Sequence, residues 1–68
     1  MGKTLGKVIR RQQDVVGIAE DGEIVKLGIL EAGSMFPVVE VTWDVATLKA
    51  GDGTRFLIPR EDVVLNPY

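Results

Sequence analysis

Ten carboxylates, eight cationic side chains, no histidine and no cysteine make up the reactive equipment of this 68-residue chain. Without Cys or His, disulfides, the usual zinc sites and thiol or imidazole catalysis are excluded. Glu20, Asp21 and Glu23 crowd into one short turn. A calcium loop draws its oxygen ligands from spaced positions along about twelve residues, so these three read as solvated turn charges. Glu40 and Asp44 fall on one face of a predicted strand, and four residues at about 3.3 Å each separate them by roughly 13 Å, too far for a coupled acid pair. Ser34 is a loop hydroxyl in a chain with no imidazole base to activate it. The chemistry-bearing residues therefore predict a protein that is not an enzyme and needs no metal or cofactor.

Two glycine motifs imitate nucleotide-binding loops. Gly2-Lys3-Thr4 matches the end of a phosphate-binding loop but lacks the upstream glycine, the preceding strand and the following helix. Gly51-Asp52-Gly53-Thr54-Arg55-Phe56 follows a dinucleotide fingerprint only to its second glycine, with no helix behind it to meet a pyrophosphate, and reads as a turn.

The basic residues are unevenly placed. Residues 1–14 hold Lys3, Lys7, Arg10 and Arg11 against Asp14, a balance of +3, whereas residues 15–68 hold four basic against nine acidic groups, a balance of −5. Lys3, Lys7, Arg10 and Arg11 are thus the candidate nucleic-acid contacts, since a basic arm can follow a phosphate backbone. On a strand Lys7 and Arg11 share a face, beside which Lys49 or Arg55 could complete a phosphate-binding patch. The opposing reading pairs these charges with the acidic body or uses them to protect an edge strand. An overall charge of −2 favours that reading.

These residues must be positioned by strands. Val, Ile and Thr supply 19 of the 68 residues and Gly another 8, a mixture of β-branched side chains and turn formers. Leu5–Arg11 reads as a strand followed by a turn at Gln12-Gln13-Asp14. Val15–Ala19 and Ile24–Leu30 flank Asp21-Gly22, an antiparallel hairpin signal that predicts a type I′ turn with positive φ at both central residues. Pro37 is placed at the first residue of the next strand, because it cannot donate to a ladder. There Val39, Val41, Trp43 and Val45 alternate with Glu40, Thr42 and Asp44, so the four apolar groups are expected in the core. Trp43 is read as core rather than as a stacking surface, and four aromatics in all are too few for a methyl-lysine cage. Thr54–Ile58 forms a further strand, Pro59–Asp62 a 3₁₀ turn and Val63–Leu65 the closing strand.

This makes an all-β domain of five to six short antiparallel strands spanning residues 1–68. Val38–Val45 as a central strand, Gly51-Asp52-Gly53 as a hairpin and Ile58–Val64 as strand, 3₁₀ turn and closing strand resemble the SH3-like small β-barrel superfamily. The resemblance implies a small closed sheet. It implies no proline-peptide site, because the acidic loop and aromatic groove of signalling SH3 domains are missing. An OB-like barrel is the alternative fold.

A chain this short sits near the size at which one core barely suffices. Paired apolar residues such as Val15-Val16, Ile24-Val25, Val38-Val39 and Val63-Val64 nevertheless point to both faces of their strands. One interior cannot take them all, so part of this surface is expected to meet a protein partner. Met35, Phe36, Val38 and Val64 are the candidate interface residues. The expected function is a non-enzymatic interaction module that self-associates or joins a larger complex, with nucleic-acid binding as the alternative. No apolar run approaches a membrane span and no leader-like segment opens the chain, so a cytoplasmic protein without a membrane partner is expected.

Overall fold

The Val- and Ile-rich runs form strands wherever Gly, Asp or Pro punctuates them. The computed structural model describes residues 4–67 and contains seven strands: β1 (Thr4–Val8), β2 (Gln12–Ile18), β3 (Ile24–Leu30), β4 (Met35–Val41), β5 (Val45–Lys49), β6 (Arg55–Pro59) and β7 (Val63–Pro67). A 3₁₀ turn, Arg60–Asp62, joins β6 to β7. All pairings are antiparallel, in the order β3-β2-β6-β5-β4-β1-β7. The all-β class is as expected, and the expected 3₁₀ turn and closing strand fall in place.

The strand count exceeds the expected five to six, because the predicted central strand is two strands. Thr42 closes β4 by donating its amide to the Val45 carbonyl at 2.8 Å, leaving Trp43-Asp44 as a two-residue turn before β5. The expected core face of β4 is also corrected. Phe36 and Val38 pack against the core while Val39 and Val41 are exposed. The register shifts between Val38 and Glu40, and this irregularity interrupts the period of two. Pro37 is the third residue of β4 rather than its first; it opposes Leu5 of β1 at a level where pairing with β5 has not begun. Gln12-Gln13-Asp14, expected as a turn, opens β2, and the irregularity there is taken up by Asp14 at φ 55°.

The core consists of Val8, Val15, Ala46, Leu48, Phe56, Ile58 and Val63. It draws on β1 and β7 from one end of the strand order, on β2 and β6 from the other and on β5 between them, so the sheet folds over on itself. Gly6 permits this closure: a Cβ there would lie 2.8 Å from Leu48 Cδ2 and 3.0 Å from Val63 Cγ1.

Two hairpin turns share one construction. In Ala19-Glu20-Asp21-Gly22-Glu23 the Ala19 amide donates to the Glu23 carbonyl, the Gly22 amide to the Ala19 carbonyl and the Glu23 amide to Asp21 Oδ1. In Ala50-Gly51-Asp52-Gly53-Thr54 the same three bonds recur, the last from the Thr54 amide to Asp52 Oδ1 at 3.0 Å. Gly22 and Gly53 carry positive φ of 93° and 95° whereas Asp21 and Asp52 do not. The expected type I′ geometry at Asp21-Gly22 is therefore replaced by a longer loop with one left-handed glycine.

Candidate interaction surfaces

The β2–β3 hairpin and its pairing with β6 place a set of large apolar side chains on the outside of the sheet. Ile18 opposes Ile24 on one side and Arg55 on the other, and Arg55 in turn opposes Lys49. Directly opposed residues share a face, so these four form a row across β3, β2, β6 and β5. Val16 and Leu57 lie two residues along from Ile18 and Arg55 on the same face, with Lys26 opposite Val16 and Thr47 opposite Leu57. Ile24 is 72% exposed, Leu57 56%, and Val16 and Ile18 47% each. A recess beside Ile18 and Leu57 is lined also by Thr47, Arg55 and Glu20.

A second outward row crosses β4, β1 and β7, where Lys7 opposes both Met35 and Val64. All three are exposed. This row joins two expected interface residues to one expected nucleic-acid contact. The other two interface candidates turn inward. Phe36 and Val38 are half-buried, and Phe36 meets Phe56 edge to face at 5.0 Å.

Among the other basic candidates, Lys3 lies outside the described residues. Arg10 and Arg11 fall in the connection between β1 and β2, where Arg10 Nε lies 3.6 Å from Asp62 Oδ1 and Arg11 Nε 3.7 Å from Glu31 Oε1. Lys49 and Arg55 are directly opposed to each other, on different strands from Lys7.

Trp43, expected in the core, is 91% exposed at the β4–β5 turn. The turn is held from three directions. Thr42 Oγ1 donates to Asp44 Oδ1 at 2.9 Å, the Val45 amide donates to Thr42 Oγ1, and the Arg60 amide donates to the Asp44 carbonyl. The indole is thus displayed on a fixed support beside Pro59, Arg60 and Glu61.

Glu20, Asp21 and Asp52 come together at the end bearing the twin turns. The Asp52 carboxyl is held below its ordinary 3.8, chiefly by the Thr54 amide and then by the Thr54 hydroxyl. Among the described residues no three acidic side chains are placed to hold a metal ion, and no helix is long and apolar enough to cross a membrane. Of the exposed set Val16, Ile18, Ile24 and Leu57, the sequence marks Val16 and Ile24 among the paired apolar residues that point to both strand faces, though not among the four candidate interface residues. The hairpin signal contained part of it, because pairing around Asp21-Gly22 brings Ile18 opposite Ile24. Comparison of the chain with protein-family models, with curated proteins and with solved structures finds no match.

Proposed function

We propose that the chain is a non-enzymatic, cytoplasmic interaction module that docks another protein surface through the outer face of β3, β2 and β6. The observation that carries this reading is the contiguity of Val16, Ile18, Ile24 and Leu57 on one face, each about half exposed or more. Apolar groups scattered singly are ordinary on a protein surface, whereas a cluster rimmed by charge is characteristic of an interaction site. Lys26, Lys49, Arg55 and Glu20 provide that rim.

An SH3-like reading of the fold is supported by the β4-β5-β6 meander, the 3₁₀ turn after β6 and the return of β7 to β1. The nucleic-acid alternative is weakened by the carboxylates beside Arg10 and Arg11, which lower the local positive potential. Photo-crosslinking in living cells from a reactive residue substituted at Ile18, and in a second variant at Met35, tests the reading. A discrete protein adduct from Ile18 supports it. Absence of any discrete protein adduct from both positions in a well-expressed, folded chain overturns it.

A further inference from the structure

We infer that the surface taken by the β3-β2-β6 face is an acidic protein segment, whose carboxylates meet Arg55 and Lys49 and whose apolar side chains meet Ile18, Ile24 and Leu57. This rests on the reading of the chain as an interaction module.

Cations are concentrated on this face. Between residues 15 and 68 the chain carries nine carboxylates and only four cations. Three of those four, Lys26, Lys49 and Arg55, stand in the two outward rows, and all three are exposed. The carboxylates that border them are Glu40, which opposes Thr47 at the β4 end, and Glu20, which lines the recess. The face is thus positive on a chain whose overall charge is −2, and its complement is an anionic surface.

Arg55 and Lys49 are directly opposed across β6 and β5, a like-charge pair that repels in the free chain. Among the described residues the ion pairs are Arg10 with Asp62 and Arg11 with Glu31, so neither cation is neutralised from within. Glu20 lies instead over the adjoining turn, where a Cβ on Gly53 would stand 3.1 Å from its Oε2. A carboxylate brought from outside between Arg55 and Lys49 relieves their repulsion and accepts charge-assisted hydrogen bonds from both.

The row through Ile24, Ile18, Arg55 and Lys49 is apolar in its first half and cationic in its second. Neighbouring strands stand about 4.8 Å apart, so the row spans about 14 Å, the reach of four or five extended residues. Val16 and Leu57 widen the apolar half. A segment in which apolar side chains adjoin carboxylates therefore satisfies both halves at once. A polynucleotide would supply phosphates but nothing for the apolar half, and no aromatic side chain stands in either row to stack a base.

Photo-crosslinking in living cells from a reactive residue at Ile18 of the full chain, with the joined segment sequenced by mass spectrometry, tests the partner chemistry. That segment is expected to carry an excess of carboxylates beside apolar residues. Lys49→Glu and Arg55→Glu are each expected to lower the adduct yield about tenfold or more at equal expression. Lys49→Glu also sets opposite charges across β5 and β6, so the purified variant is expected to melt about 1–8 °C above the wild type at low salt. Lost docking is thereby separated from lost folding.

A joined segment that is neutral or basic, an adduct between two copies of this chain, or an adduct from Met35 with none from Ile18 overturns the inference and leaves the interaction module standing. So does a yield unchanged by both substitutions, or a Lys49→Glu variant that melts below the wild type. An adduct to nucleic acid alone, or no discrete protein adduct from either position, removes both.

Discussion

The ring of Phe36 stands edge-on to that of Phe56, with centroids 5.0 Å apart and planes at 87°. Phe56 is fully buried at the centre of the core, and Phe36 covers it from β4. Phe56→Ala is expected to lower the unfolding free energy by about 3–5 kcal/mol through lost burial and the cavity left behind. Phe36→Leu preserves most of the apolar volume and is expected to cost about 1 kcal/mol, mainly the aromatic pairing. Urea unfolding measures both, and a larger loss at Phe36 than at Phe56 contradicts this placement.

Trp43 makes the opposite prediction. Its indole is almost wholly in water, so Trp43→Ala is expected to change stability by less than about 0.5 kcal/mol. As the chain's single tryptophan, it is also expected to emit like a solvated indole and to be readily quenched by iodide. A blue-shifted, protected emission that turns red on unfolding of the monomer contradicts the exposed turn.

The contrast between these aromatics shows what was legible in the sequence. Strand composition and the Asp-Gly and Gly-Asp-Gly turns located the hairpins, because those signals depend on neighbouring residues. Alternation around Trp43 misled for a physical reason. A two-residue turn occupies the same number of positions as one more period of a strand, so Trp43-Asp44 preserves the pattern while reversing the chain. The register shift after Val38 then breaks the relation between parity and face: Val38 opposes buried Leu48, and Val41 opposes buried Ala46. The candidate surfaces were legible only where pairing is local. The Ile18–Ile24 contact follows from one hairpin, whereas the alignment of Met35, Lys7 and Val64 requires three strands remote in sequence.

Asp62 is buried beside β2, where its Oδ2 accepts a 2.8 Å hydrogen bond from Gln12 Nε2 and its Oδ1 has no hydrogen-bond donor among the described residues. Arg10 approaches Oδ1 only at 3.6 Å and is itself mostly exposed. Gln12→Ala removes this hydrogen bond to the carboxylate and is expected to cost about 1–3 kcal/mol. Arg10→Ala is expected to cost less than about 1 kcal/mol, as for other exposed ion pairs. Thermal unfolding of the two variants tests the order, and a greater loss for Arg10→Ala reverses the assignment.

Asp52 gives a pH signature. The Thr54 amide and hydroxyl favour its charged form, so its carboxyl titrates below the ordinary 3.8 in the folded chain. A group with a depressed folded pKa contributes stability above its unfolded pKa and loses that contribution as pH falls through the folded value. Asp52→Asn retains an acceptor but not the charge. The wild type is therefore expected to melt above Asp52→Asn at neutral pH, with the gap narrowing only below about pH 3.8. A gap that is constant down to strongly acidic pH contradicts the lowered titration.

The position of β1 between β4 and β7 has a consequence for synthesis. Leu5 opposes Pro37 on one side and Asn66 on the other, so β1 precedes one of its neighbours by about half of the described chain and the other by almost all of it. The 55 positions from Val8 to Val63 take about 3–11 s to add at typical elongation rates of about 5–20 residues per second. The β2–β3 and β5–β6 hairpins can close within that interval, but β1 keeps an open edge until β7 leaves the ribosome. Exposure to wrong pairing is consequently greatest on the nascent chain, and slowing translation between Val8 and Val63 lengthens it without changing a single residue.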